Sequence, residues 1–265
     1  MIVDMGCHFI PFLMEPLRIR ILLPHGYESG EKRYPVLYVN DGQSIFASEA
    51  LRYDRYERTF WNYLPQVILV AIDAPASASV RTALYSPYTM DFDVPEGKCF
   101  ENHIVGKGKE YLNWLLKELK PEIDRKFRTL PQAEATGICG YSTGGLFALY
   151  AGLVSKEGFS RILMMSPAVA IWRPCLEQTL SQADTSHLRY IYLDVGTNEF
   201  GRMTTKEEFL QGGERLKDYF QEQGFDEKRF YFEVHPGVTH HVTEWKNRFP
   251  DSIRWAFQDF FEKTL

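Results

Sequence analysis

The chain has 265 residues, 45% of them hydrophobic and 25% charged, with a net charge of −5 and a pI of about 5.8. That length can bury a sizeable core without disulfide or metal staples, and the acidic balance excludes the basic face or stripe of a nucleic-acid-binding protein. No apolar run reaches the roughly 20 residues that a bilayer-spanning helix needs, and the four cysteines, Cys7, Cys99, Cys139 and Cys175, form no CxxC pair of the kind used in zinc or redox sites.

In chain order, the opening MIVDMGCHFIPFLMEP lacks a basic stretch followed by a long apolar one, so it reads as a first strand and not as a secretion signal. The expectation is a soluble, reduced, cytoplasmic protein. Residues 17–23 (LRIRILL) begin with apolar–basic alternation, the pattern of a half-exposed strand. Residues 36–39 (VLYV) form a third strand, ending at Asn40-Asp41-Gly42. A group of aromatics lies between Tyr53 and Tyr63. Residues 67–72 (VILVAI) are continuously apolar, as expected of a strand covered on both faces of a parallel sheet.

Residues 74–109 are rich in Pro, Ser and Gly and show no sustained period, so they read as a long irregular segment, and such segments are usually functional. Asp91 and Asp93 within it read as a solvated loop. The period of a helix resumes over residues 110–127, with Pro121 a kink or a new start. Strands are predicted at 135–139, 162–165, 190–195 and 229–234, and helices at 146–153, 207–223 and 243–261, the last broken at Pro250. Cys139 is read as a small buried hydrophobe. Strands alternating with helices make βαβ units and a mainly parallel sheet. With no repeat, low-complexity tract or linker, one domain spanning 1–265 is expected.

The chemistry is concentrated in Gly140-Tyr141-Ser142-Thr143-Gly144-Gly145, a G-x-S-x-G motif between a predicted strand and a predicted helix. In that context the serine sits on a tight strand-to-helix turn, glycines let neighbouring backbone pass close, and the helix N-terminus favours developing negative charge. Serine needs a base oriented by an acid, and in this kind of site both follow the serine in the chain. Four histidines do so: His187, His235, His240 and His241. His187 precedes a strand and so lies at the wrong sheet edge, and His235 ends the last strand. His240 and His241 occupy the loop after that strand, with His240 favoured and His241 its main rival. The acid is expected after the strand at 190–195, with Glu199 favoured and Asp194, inside that strand, as the alternative. The backbone N–H groups of Thr143 and Gln43 are the expected oxyanion donors. Tyr85, Tyr88 and Phe92 are expected to wall the substrate pocket, within a 74–109 segment acting as wall or lid.

These residues resemble an esterase family of the α/β-hydrolase fold, which includes enterochelin esterases, S-formylglutathione hydrolases and feruloyl esterases. The landmarks are LRIRILLPHGY, YPVLYVNDGQSIF, KELKPEIDRKFRT, GYSTGGLFALYAG, FSRILMMSPAVAIW, the GTNE loop and HHVTEW. The resemblance implies an α/β architecture, a mainly parallel central sheet with helices on both faces. It also implies a serine esterase acting through an acyl-enzyme on Ser142, without cofactor or metal, on a small-molecule ester or thioester. Family members place the histidine five positions before a tryptophan, and Trp245 points back to His240. They carry Met or Leu where this chain has Thr143, a position of which only the amide is needed. DGQ resembles the siderophore-esterase branch, yet the only Lys and Arg of residues 74–109 are Arg81, Lys98, Lys107 and Lys109, no evident cationic cup. Acyl transfer to an alcohol and siderophore trilactone hydrolysis are the alternative activities, and a catalytically silent binding module is a third reading that the complete residue set disfavours. No nucleic-acid or membrane partner is implied, and a homo-oligomer is compatible with the sequence.

Overall fold

The computed structural model describes residues 1–46, 65–94, 96–98 and 100–260. The aromatic group at 53–63 and Cys99 lie outside them. An eight-stranded sheet runs in the order β1-β2-β4-β3-β7-β8-β9-β10. Its members are β1 (Ile2–Ile10), β2 (Glu15–Leu22), β3 (Val36–Asn40), β4 (Ile68–Ile72), β7 (Thr136–Tyr141), β8 (Arg161–Met165), β9 (Tyr190–Asn198) and β10 (Phe230–Thr239). The β1–β2 and β2–β4 pairs are antiparallel and all pairs from β4 to β10 are parallel. The short strands β5 (Met90–Asp91) and β6 (His103–Ile104) form a separate two-residue ladder.

The burial pattern explains the sheet. Every residue of β3, β4 and β8 is buried, the signature of strands covered on both faces, whereas β2 alternates at its start. Cys139, within β7, is fully buried, and burial pushes its thiol well above the usual range, so it behaves as an inert small hydrophobe. Two cores result. One face packs on a cluster that includes Tyr38, Phe147, Ile138 and Trp172, the other on one that includes Leu37, Val39, Leu163, Trp245 and Phe249. This is the α/β-hydrolase arrangement, a mainly parallel sheet with helices.

The helices are α1 (Gly42–Phe46), α2 (Ala78–Tyr85), α3 (Gly108–Trp114), α4 (Lys120–Lys126), α5 (Thr143–Val154), α6 (Arg173–Gln182), α7 (Lys206–Glu222) and α8 (Val242–Ala256). Helices α3 and α4 are joined without a break by a π-helical turn over Leu115–Leu119. Pro121 has no N–H to give to the residue four earlier and its ring crowds that turn, so the helix widens before it and α4 starts anew with Pro121 in its first turn. Pro250 is likewise inside α8 and does not break it. Trp245, Phe249, Ile253 and Ala256, on both sides of Pro250, all press into one core, and that shared burial offsets the lost hydrogen bond.

One further expectation is corrected. Residues 74–109 are not irregular throughout, because α2 takes up eight of them and α3 begins at Gly108. The helix is only eight residues long and follows Pro75 and Ser77, which favour loops, so its buried face of Thr82, Leu84 and Tyr85 left too short a period to read. Helix α6 went unread because only Leu176 of its residues is buried, leaving no apolar stripe to detect.

Arg161 anchors the C-terminal part to the sheet. Its guanidinium is wholly buried, donates to the carbonyls of Ala256 (2.5 Å) and Glu134 (2.8 Å), and forms a two-pronged pair with Asp259 at 2.6 and 2.7 Å.

Candidate active site

All the candidate polar groups hang from the C-terminal ends of neighbouring parallel strands, the edge where ligands bind in open α/β sheets. Strand β7 ends at Tyr141, and Ser142 follows at φ 58°, ψ −123° as the residue capping α5. The turn is so tight that a Cβ on Gly140 would lie 2.0 Å from the Gly144 carbonyl oxygen, which requires glycine there. The Ser142 N–H donates to the Met165 carbonyl (3.0 Å) and the Ser142 carbonyl accepts from Ala168 (3.0 Å), so the elbow is tied to the chain leaving β8. Non-glycine residues are costly at positive φ. Besides Ser142, Asp41 at the end of β3 and Ser166 at the end of β8 adopt it, at 58° and 45°. Three adjacent strands therefore each end in a strained residue at this edge.

His240 directly follows β10. Its Nε2 lies 2.8 Å from Ser142 Oγ and its Nδ1 lies 2.9 Å from Glu199 Oε2. A carboxylate can only accept, so Nδ1 carries the proton and Nε2 is left to accept from the serine hydroxyl. The imidazole lies between the Tyr141 ring (centroids 4.7 Å apart) and the Phe209 ring (4.5 Å). Burial, and then the Glu199 charge, holds the Tyr141 hydroxyl well above the usual phenol range, so it stays protonated beside the imidazole. Phe209 is delivered by the first turns of α7, which starts with a capping box between Thr205 and Glu208. Neither ring was singled out from sequence, because aromatics flanking a histidine carry no motif.

Glu199 follows β9 directly and is fully buried. Its Oε1 accepts from the Gly196 N–H (2.6 Å) and the Ser166 hydroxyl (2.5 Å), leaving Oε2 for His240. The alternative acid, Asp194, is also fully buried but faces elsewhere. It accepts from Arg248 Nε (2.8 Å), Arg248 Nη2 (3.2 Å) and the Tyr192 hydroxyl (3.0 Å). His241 is an exposed helix cap whose Nδ1 accepts from Thr243 N–H at 3.3 Å. His235 lies within β10, opposite Gly196, 3.7 Å from Asp194. His187 lies before β9 with Nε2 2.9 Å from the Gly152 carbonyl. Of the four histidines, only His240 has ring contacts with both Ser142 and Glu199.

Gln43 and Thr143 stand in the first turns of α1 and α5, where backbone N–H groups have no partner within their own helix. Both line one cavity of about 370 Å³ together with Ser142 and His240. The turn from β3 into α1, which carries Gln43, is held from several sides. The Tyr85 hydroxyl accepts from Asp41 N–H (3.0 Å), the Tyr111 hydroxyl donates to Asn40 Oδ1 (3.0 Å), and the Gln43 side chain accepts from Ala74 N–H (2.8 Å).

Residues 74–109 contribute Arg81, Thr82 and Phe100 to the cavity lining, but Tyr85, Tyr88 and Phe92 do not line it. Tyr85 is fully buried against Tyr111 and Phe147. Tyr88 packs on Tyr150 and Trp172 and bonds Thr179, and burial raises its hydroxyl to about 12. Phe92 packs edge-on against Phe100 and Trp172. Apolar residue type alone could not separate the wall from the layer beneath it. The opposite wall comes from residues 200–204, with Phe200 and Arg202, and from Ile171 and Phe209.

A family model described as "Putative esterase" matches residues 11–256. The chain belongs to this family. It is an esterase, and ester hydrolysis is the chemistry the family performs. Among curated proteins, the esterase is 23% identical to the uncharacterized protein YbbA of Bacillus subtilis over 247 residues, covering 91% of this chain and 92% of that protein. Among solved structures it resembles an IroE-like serine hydrolase from Shewanella oneidensis (TM-score 0.73, 24% identity, 98% of this chain and 81% of the other). It also resembles the enterobactin esterase FES from Shigella flexneri (TM-score 0.71, 19% identity, 98% of this chain), of whose length it spans 60%. These likenesses carry the α/β-hydrolase fold. Among the described residues no helix is long and apolar enough to cross a membrane.

Proposed function

We propose that the esterase hydrolyses a small-molecule carboxylic ester or thioester with Ser142 as nucleophile, His240 as general base and Glu199 as the acid that orients it. The observation that carries this is the unbroken contact chain Ser142–His240–Glu199, at 2.8 and 2.9 Å. Ser142 Oγ attacks the ester carbonyl while His240 Nε2 takes its proton. Glu199 stabilises the resulting imidazolium through Nδ1–H without itself becoming protonated. The carbonyl oxygen, now anionic, is received by the backbone N–H groups of Thr143 and Gln43, with the α5 N-terminus adding its dipole. His240 then returns the proton to the leaving alkoxide, an acyl-enzyme remains on Ser142, and water activated by the same histidine releases the acid.

The decisive experiment is labelling with a fluorophosphonate probe. The wild-type chain should be labelled and Ser142→Ala should not; equal labelling of both would remove Ser142 from the mechanism.

A second reading narrows the substrate to a siderophore ester. It is favoured by one observation, that Arg202 lines the cavity beside Phe100 and Phe200, a cationic and aromatic surface suited to an acidic aryl group, while Arg81 in the same lining is paired with Asp41. The likeness to the enterobactin esterase of Shigella flexneri points the same way. A siderophore triacetylfusarinine C esterase of Aspergillus fumigatus is 25% identical over 58% of this chain and 52% of its own length. A panel of p-nitrophenyl acetate, S-formylglutathione and a catecholate trilactone separates the readings. A kcat/KM for the trilactone no better than for the acetate would reject the narrower one.

A further inference from the structure

Behind the acid lies a cluster that the mechanism above does not use. Ser166 follows the last residue of β8, is fully buried, and adopts φ 45°. Its N–H donates to the Asp194 carbonyl at 2.9 Å and reaches Asp194 Oδ1 at 3.2 Å. Its hydroxyl donates to Glu199 Oε1 at 2.5 Å and accepts from Arg248 Nη2 at 3.0 Å. Arg248, from the buried face of α8, is in turn held by both oxygens of Asp194.

Resting on the assignment of Glu199 as the acid, we propose that Ser166 and Arg248 are positioning residues that fix the rotation of the Glu199 carboxylate and so aim its Oε2 at His240. The backbone supplies the first reason. Glycine would occupy φ 45° without strain, and a serine there costs on the order of 1 kcal/mol. What serine offers in return is its hydroxyl, and that hydroxyl is spent on Glu199. The second reason is geometric. A carboxylate turns about its last single bond unless both oxygens are held. Oε2 meets one ring N–H, and Oε1 is held by Gly196 N–H and Ser166 Oγ–H from two directions. Removing one of these donors frees the rotation. The third reason is electrostatic. Asp194 and Glu199 are two buried carboxylates reached by the same serine. Arg248 pairs with Asp194 and also donates to the Ser166 oxygen, which polarises the hydroxyl and strengthens its bond to Glu199.

The test is Ser166→Gly, which keeps the left-handed backbone and removes only the side chain, with Ser166→Ala as a second variant. Hydrolysis of p-nitrophenyl acetate is measured together with thermal melting and the downfield proton signal of His240 Nδ1–H. Ser166→Gly should melt no lower than the wild type and lose kcat on the order of 10²-fold, the scale of a misplaced catalytic group, with little change in KM. Its downfield signal should shift or broaden. In a Glu199→Gln background, Ser166→Gly should cost nothing further, because its action runs through Glu199. The inference falls if Ser166→Gly keeps kcat within twofold and leaves the downfield signal in place while Glu199→Gln is inactive. If Glu199→Gln is itself fully active, the acid assignment falls, and the inference with it.

Discussion

Arg81 grips Asp41 with two prongs, Nε to Oδ1 at 2.5 Å and Nη2 to Oδ2 at 2.7 Å, and the same Nη2 donates to the Tyr141 carbonyl at 3.3 Å. Asp41 precedes the loop that carries Gln43, and Tyr141 precedes Ser142 and Thr143. One guanidinium thus joins the two backbone segments that bear the proposed oxyanion donors. Burial opposes its charge, but the Asp41 carboxylate more than offsets that and lifts the guanidinium above its usual range. Arg81→Lys keeps a charge but loses the fork that meets both carboxylate oxygens. It should lower kcat by about tenfold, the loss of roughly 1.4 kcal/mol of transition-state stabilisation. Arg81→Met leaves the buried Asp41 unpaired and should also destabilise the fold by about 3–5 kcal/mol. Steady-state kinetics with denaturant melts distinguish the two effects; an unaltered kcat in Arg81→Lys would leave the ion pair a purely structural role.

Ser142→Ala and His240→Ala should each lose on the order of 10⁶-fold in turnover with the fold retained. His241→Ala should lose no more than a helix cap, about 1 kcal/mol of stability, with near-normal turnover. Kinetics of the three purified variants on one ester decide this, and a larger loss at His241 than at His240 would reassign the base.

The two buried carboxylates should fail in different ways. Glu199→Gln should fold normally and lose on the order of 10⁴-fold in kcat, since an amide neither stabilises the imidazolium nor selects its tautomer. Asp194→Asn weakens the pair with Arg248 and should show mainly as a lower melting temperature. If calorimetry finds Asp194→Asn as stable as the wild type and kinetics find it inactive, Asp194 is the acid.

Substrate choice should follow the residues that line the cavity and not those beneath it. Arg202→Ala and Phe100→Ala should change the ratio of kcat/KM between a short alkyl ester and a bulky acidic aryl ester, because specificity is a difference in transition-state binding. Tyr85→Phe removes the acceptor for the buried Asp41 N–H and should cost about 1–3 kcal/mol of stability, slowing all esters alike. A shifted ratio in Tyr85→Phe with none in Arg202→Ala would invert this division.

What was legible in the sequence depended on the range of the physics involved. The elbow could be read because its steric demands are local: glycines at 140, 144 and 145 around one serine, between an apolar strand and an apolar helix. The preference for His240 over His241 drew on loop position and on the spacing to Trp245. The α2 helix was hidden because it is only about two turns long and follows Pro75 and Ser77, which favour loops. Ser166 and Arg248 were out of reach, since they are 82 residues apart and meet only when α8 lies against the end of β8. The same limit applied to Tyr85, Tyr88 and Phe92, whose apolar character was evident but whose depth was not.

His240 is attached to the last residue of β10, which among the described residues pairs only with β9 at the sheet edge, with most of its residues at least partly open to solvent. Ser142 and Gln43, by contrast, are attached to β7 and β3, in the buried middle of the sheet. Local opening at a sheet edge needs less free energy than global unfolding. In rising urea, the base should therefore detach while the nucleophile is still in place. Turnover would decline ahead of the fluorescence of the buried Trp172, and slow amide exchange along β3 and β7 would outlast both. Catalytic rate is then a reporter for fraying of one strand, and a stabilising cross-link between β9 and β10 should bring the two denaturation curves together.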